Sequence, residues 1–221
     1  KTGLDTNPGT WSAPYLTIAY AWSNIGTRSY INIKDSGEYA EEISNSPVYI
    51  EPIFGHTPTV KGFISTGPLA NGMVCGMTIN GNGGTAGISM ASDTITTHQI
   101  RDNTVYNIVG YGIYTDSDNS TINIYNNRIF NCTYGIYGLG GVNGVKLIAY
   151  KNIVSFCSYG IYMYRATSGA EIFYNVVNDC HYGLYIRVED VNFSSKVHHN
   201  TFVYNTYYGI YVNIVSGAIA S

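Results

Sequence analysis

The chain has 221 residues, 45% of them hydrophobic and only 11% charged, with a formal net charge of −3. That is apolar enough to bury a core, and the length fits one elongated all-β domain. It offers no basic field to attract nucleic acid and no run of about 18 apolar residues to span a membrane.

From the start, Lys1 is followed by polar and turn residues rather than a secretory leader, so the chain reads as a mature or trimmed fragment. Pro14 then opens an apolar stripe of Tyr15, Ile18, Ala19 and Trp22 at helical spacing. This predicts a short helix over Pro14–Ser23 that caps the open end of a core. Tyr30–Lys34, Val48–Ile50 and Val60–Ile64 read as strands of irregular first rungs. Residues 1–64 are thus a cap with irregular rungs, and 65–221 the regular rungs of a single domain, 1–221.

The regular part is a repeat. Tyr-Gly-Ile-Tyr occurs at Tyr111–Tyr114, Tyr134–Tyr137 and Tyr159–Tyr162, with variants at Tyr182–Tyr185 and Tyr208–Tyr211 and a weaker copy at Gly87-Ile88. The glycines at 87, 112, 135, 160, 183 and 209 are separated by 25, 23, 25, 23 and 26 residues. Asn103, Asn127, Asn152, Asn175 and Asn200 form a second column, eight or nine residues before a repeat glycine. Val105, Ile129, Val154, Val177 and Phe202 follow it by two residues, and Ile100, Ile124, Ala149, Ile172 and Val197 precede it by three.

Each repeat therefore has three short β-prone stretches separated by turns, too short for helices. Three strands per turn of about 24 residues describe a right-handed parallel β-helix, whose stacked rungs lie about 4.8 Å apart. Asparagine suits the corner, because it tolerates the left-handed conformation and its amide can bond the next rung. The Asn-to-Gly gap is nearly constant, whereas the Gly-to-Asn gap runs from 15 to 17. Length variation thus sits in the loop after Tyr-Gly-Ile-Tyr, where solenoids place binding residues.

These repeats resemble those of the pectate-lyase-like right-handed β-helix superfamily. Gly3-Leu4-Asp5-Thr6-Asn7-Pro8-Gly9-Thr10, with Ala13-Pro14-Tyr15 and Thr17-Ile18, is similar to an N-terminal signature of its secreted members. Gly37-Glu38-Tyr39 and Glu41 resemble the element that often follows. The resemblance implies the fold and an extracellular or cell-surface setting. It leaves function open among lyases, hydrolases, epimerases, adhesins, phage spikes and structural surface proteins.

A polysaccharide lyase would need clustered carboxylates for calcium, its expected cofactor, and a Lys or Arg base near a sugar C5 proton. Asp116 and Asp118 in one variable loop are the candidate calcium ligands, with a polar turn as the alternative. Arg165 in another loop, and Arg187 with Glu189 and Asp190 in the next, could face one groove; ordinary solvated loop charge is the alternative. Motifs of the hydrolase, main lyase and epimerase subfamilies are missing. His198 and His199 alternate faces on a strand and, like His98 and His181, read as structural. Gly81, Gly83 and Gly84 read as a turn rather than a phosphate loop.

Tyrosine, at 22 residues, is the unusual feature. With Ile113 and its equivalents inward, alternation turns the column Tyr114, Tyr137, Tyr162, Tyr185 and Tyr211 outward. It would contact sugars or neighbouring subunits, or else its rings pack on each other. The leading reading is a non-catalytic extracellular module for structure, assembly or adhesion, with no cofactor. Its partners would be carbohydrate or other subunits, and a lyase acting on an acidic polysaccharide is the alternative. Asn119, Asn131 and Asn192 begin glycosylation sequons. Cys132, Cys157 and Cys180 should stack as buried free thiols, with Cys75 outside the ladder. Ile214, Val215, Ala218 and Ile219 end the chain as an unprotected apolar edge.

Overall fold

In the segment Thr121–Tyr125, Ile122 and Ile124 are fully buried while Thr121, Asn123 and Tyr125 face outward. A period of two, carried by β-branched residues, makes a strand with one wet and one dry face. The computed structural model describes residues 3–26, 30–41, 43, 49–61, 64–66, 72–92, 97–117, 120–140, 146–165, 169–189 and 195–215. In it such strands wind into a parallel β-solenoid. The first face is an eight-stranded parallel sheet, from Tyr30–Ile33 and Tyr49–Pro52 through Thr97–Arg101, Thr121–Tyr125 and Lys146–Tyr150 to Lys196–His198. The other two faces share a thirteen-stranded sheet. They are joined because Thr104–Ser117 and Arg128–Gly140 run round a corner unbroken, with a register shift between Ile108 and Tyr111.

The core is a set of stacked inward columns. Val105, Ile129, Val154 and Val177 lie in register, each fully buried, as do Ile113, Ile136, Ile161 and Leu184. The asparagine ladder ties the rungs. Asn103 Nδ2 donates to Asn127 Oδ1, Asn127 to Asn152, Asn152 to Asn175 and Asn175 to Asn200, at 2.9–3.0 Å and at sequence offsets of 24, 25, 23 and 25. Each bond satisfies buried polar groups that would otherwise cost about 1–3 kcal/mol.

The corner itself is made differently from expectation. The left-handed residues are those just before the ladder: Asp102, Asn126, Lys151, Tyr174 and His199, with φ of 54–58°. The turn is thus taken one residue early, which aims the asparagine side chain inward, where its amide bridges rungs. A second left-handed set, Asn107, Asn131, Phe156, Asp179 and Tyr204, does the same for the inward column Ile108, Cys132, Cys157, Cys180 and Asn205. Asn205 ends that column by accepting from Cys180 N–H and donating to Val177 O, both at 3.1 Å.

The N-terminal helix spans Ile18–Ser23, shorter than the expected Pro14–Ser23. Thr17 is the reason, since as N-cap it is extended and its hydroxyl accepts from Tyr20 N–H. Two residues of the N-terminal signature serve this start. Asp5 Oδ1 accepts from Leu16 N, Thr17 N and Thr17 Oγ1, and Glu41 Oε2 accepts from Ala19 N at 2.7 Å. The early strands are Tyr30–Ile33, Glu38–Tyr39, Tyr49–Pro52, Thr59–Lys61 and Ile64–Thr66, so the expected strand Val60–Ile64 is two strands on two faces. Val48 lies outside the described residues. In the final described strand, Tyr208–Ile214, Ile210 and Val212 continue the inward columns of Leu184 and Ile186 but are 50% and 48% exposed. Ala218 and Ile219 lie outside the described residues.

Candidate functional site

The repeat glycine places the tyrosines. Along Tyr134–Tyr137 the outer ring of Tyr134 is followed by two buried residues, Gly135 and Ile136, before Tyr137 returns to the outside. Two inward residues in succession turn the chain, and the first must be glycine. A Cβ on Gly135 would lie 2.4 Å from Val154 Cγ1 and 2.5 Å from Gly160 O, and Gly112 and Gly160 are as confined.

Two outward tyrosine columns result, side by side. Tyr137 stacks on Tyr162 with ring centroids 5.1 Å apart and planes within 4°, and Tyr162 on Tyr185 at 4.8 Å and 10°. Tyr134 on Tyr159 and Tyr159 on Tyr182 each stand at 5.0 Å. The columns meet edge to face, as for Tyr159 and Tyr162 at 5.2 Å and 86°. Outward direction and mutual packing therefore coexist, and all of Tyr114, Tyr137, Tyr162, Tyr185 and Tyr211 are half-buried. Burial pushes three of these phenols up, to about 12 at Tyr114 and Tyr162 and also upward at Tyr137. At Tyr137 and Tyr162 both ring faces are covered by the rings above and below, so that part of the surface presents ring edges and hydroxyls.

A mixed column runs beside the rings, with Asp116, Leu139, Tyr164, Arg187 and Asn213 in register. Tyr114 OH donates to Asp116 Oδ2 at 3.2 Å, and Asn213 Nδ2 donates to Tyr185 OH at 3.1 Å. Asp116 is thus a partner of the tyrosine face, while Asp118 lies outside the described residues. Arg165 and Arg187 do come together. Arg165 Nε donates to Glu189 Oε2 at 2.9 Å, and Arg187 Nη2 lies 2.7 Å from Glu189 Oε1. Both guanidiniums stand over the Tyr164 ring, at 5.3 and 5.0 Å. The hydrogen bond from Arg165, foremost, holds the Glu189 carboxyl below its ordinary value. Arg187 Nε is buried without a hydrogen-bond partner. Glu189 as a bridge was legible only as an offset, one rung of 24 residues beyond Arg165. Asp190 lies outside the described residues.

Of the sequon asparagines, Asn131 is exposed at a left-handed corner and its Nδ2 donates to Asn107 Oδ1 at 3.5 Å. Asn119 and Asn192 lie outside the described residues. The histidine expectation needs correction, for His198 and His199 are both exposed, with their Nδ1 atoms 2.8 Å apart. His199 is left-handed, and that breaks the alternation which would have separated them. His98 is buried, accepts from Gly72 N–H at 3.0 Å, and has its pKa lowered by burial. Among the described residues, no three or more His, Cys, Asp or Glu side chains gather where they could hold a metal ion. All four cysteines are free and buried.

No spacing or motif announced the cavity of about 570 Å³ between the cap and the first rung, lined among others by Trp11, Tyr15, Ile18, Tyr30, Ile33 and Lys34. Lys34 closes one side, its ammonium 4.2 Å from the centroid of the Trp11 ring.

Set beside known proteins, residues 76–219 match a family described as the right handed beta helix region. Neither the curated proteins nor the solved structures contain a match.

Proposed function

The chain belongs to the right-handed β-helix family, and on that premise we propose that it is a non-catalytic extracellular module that contacts glycans or neighbouring subunits through its tyrosine face. The observation that carries this reading is the pair of outward tyrosine columns, continuous over successive rungs and bordered by Asp116, Arg187 and Asn213. Such a face joins ring edges with hydrogen-bonding groups on a rigid scaffold, a composition common to recognition surfaces. Since the ring faces of Tyr137 and Tyr162 are covered, contact there runs through ring edges and hydroxyls rather than by laying a sugar flat on an aromatic ring. A cell-surface setting and sugars on Asn119, Asn131 or Asn192 belong to the same reading.

The test is a panel of immobilised glycans together with sedimentation velocity at rising protein concentration. The triple change Tyr137→Phe, Tyr162→Phe and Tyr185→Phe keeps the stacking and removes the hydroxyls. It should weaken whichever association the native chain shows. Native protein that neither self-associates nor retains any glycan would sink the proposal.

A second reading is favoured by the convergence of Arg165 and Arg187 beside Tyr164, with Arg187 Nε lacking a partner. In a lyase acting on an acidic polysaccharide, these cations would bind the carboxylates, and calcium would be held by carboxylates such as Asp116, which stands in the strand Thr104–Ser117 rather than in a loop. Incubation with pectate, alginate and glycosaminoglycans, with and without calcium, separates the two. Unsaturated uronate ends that disappear in Arg165→Ala or Arg187→Ala would establish the lyase.

A further inference from the structure

Stacked phenols have a chemistry of their own, apart from what they bind. Tyr134, Tyr159 and Tyr182 stand one above another with centroids 5.0 Å apart and planes within 10°, and Tyr137, Tyr162 and Tyr185 do so at 4.8–5.1 Å. The two columns touch edge to face. Every ring is therefore in van der Waals contact with at least two others that share its redox chemistry. The rings are half-buried, and burial raises the phenols of Tyr134, Tyr137, Tyr159 and Tyr162, so losing an electron from one of these also releases a proton. They remain partly accessible, and their Cα atoms pair in register across parallel strands, so each ring lies over its equivalent on the next rung.

We propose that this face is a site of oxidative cross-linking, at which one-electron oxidation joins tyrosines of adjacent rungs into dityrosine. The oxidant is a haem peroxidase supplied with hydrogen peroxide. Two phenols each give up one electron and one proton. The two phenoxyl radicals, which can move from ring to ring along the stack before they meet, form one carbon–carbon bond between the positions ortho to oxygen. Each coupled ring then shifts its remaining ortho hydrogen to oxygen and becomes a phenol again. The peroxide takes up the two electrons and two protons and leaves as two waters. The product is a covalent staple between neighbouring rungs. In a solenoid whose stability is a sum of nearest-neighbour contacts, such a staple ties a rung covalently to the next at the outer face.

The molecule contains its own controls. Tyr106 stacks on Phe130 at 5.0 Å and 6°, and Tyr150 on Phe173 at 5.0 Å and 5°. Their geometry equals that of the tyrosine pairs, but phenylalanine has no phenolic hydrogen to lose, so these pairs cannot couple.

The experiment treats the intact chain with peroxidase and hydrogen peroxide and follows dityrosine fluorescence, intact mass and cross-linked peptides. The expected result is a monomer lighter by two hydrogens per link. Links should map to stacked tyrosine pairs, Tyr137–Tyr162, Tyr162–Tyr185, Tyr134–Tyr159 and Tyr159–Tyr182 on this face and Tyr125–Tyr150 on another, and the yield should fall several-fold in urea-unfolded chain. Tyr162→Phe, which keeps the stack, should lose both links of its own while Tyr134–Tyr159 persists, and the linked protein should melt at a higher temperature. Three results would each overturn the proposal: no rung-to-rung link in the folded chain, equal yields from folded and unfolded chain, or products that join separate molecules only. Glycan and subunit contact is measured separately, so either idea can fail alone.

Discussion

Asn152 Oδ1 accepts two hydrogen bonds from Asn127, one from its side-chain Nδ2 at 3.0 Å and one from its backbone N–H at 3.1 Å. Asn152 Nδ2 meanwhile donates to Ile124 O at 2.8 Å and to Asn175 Oδ1 at 2.9 Å. One fully buried side chain thus satisfies polar groups on both neighbouring rungs. Asn152→Ala takes the acceptor from the Asn127 backbone N–H and a donor from the Ile124 carbonyl, while Asn127 Nδ2 keeps Ile100 O and Tyr125 O, and it should cost about 1–3 kcal/mol. Asn200→Ala, at a half-buried position, should cost less. Urea unfolding of both variants checks the order, and equal losses would contradict it.

The glycine column makes a graded prediction. Gly135→Ala places a Cβ 2.5 Å from the backbone oxygen of Gly160, which cannot swing aside. It should destabilise by about 1–3 kcal/mol, the usual cost of overpacking. At Gly209 the nearest atom to an added Cβ is Phe202 Cβ at 3.4 Å, so Gly209→Ala should be far milder. Thermal melts of the two variants decide it.

His98 gives the protein a pH dependence of predictable sign. Burial lowers its pKa from 6.5, so the unfolded chain takes up the proton first as pH falls. This contribution to stability is complete above about 6.5 and is lost progressively below that, towards the folded-state value. His98→Gln should flatten that part of the stability profile. A variant as pH-sensitive as the parent between neutral and mildly acidic pH would rule His98 out as the source.

The thiols should be silent in the folded protein. Burial raises Cys75 to about 11, and Cys157 and Cys180 are raised foremost by the hydrogen bond each thiol gives to the preceding one of the ladder, Cys132 and Cys157. Thiolate is the reacting form, so alkylation at mildly alkaline pH should be negligible before unfolding and reach all four cysteines after it. Rapid native labelling of Cys157 would show that the ladder opens.

The sequence determined the solenoid. A residue that recurs every 23 to 26 positions can stack only on its own equivalents, so the asparagine, glycine, tyrosine and cysteine columns were legible as ladders before any coordinates. Alternation within each stretch also fixed which isoleucines and valines face inward, because strand periodicity is local. Tertiary structure decided what depends on neighbours in the next rung. It set the left-handed turn at Asp102 and Lys151 rather than at the asparagines, since the amide reaches its partner only from that geometry. It brought His198 and His199 to one side, joined Arg165 to Arg187 through Glu189, and turned the outward tyrosines into stacks with covered faces. These are relations between side chains about 24 residues apart whose rotamers answer to each other. Spacing along the chain brings such residues together, but only packing decides which atoms meet.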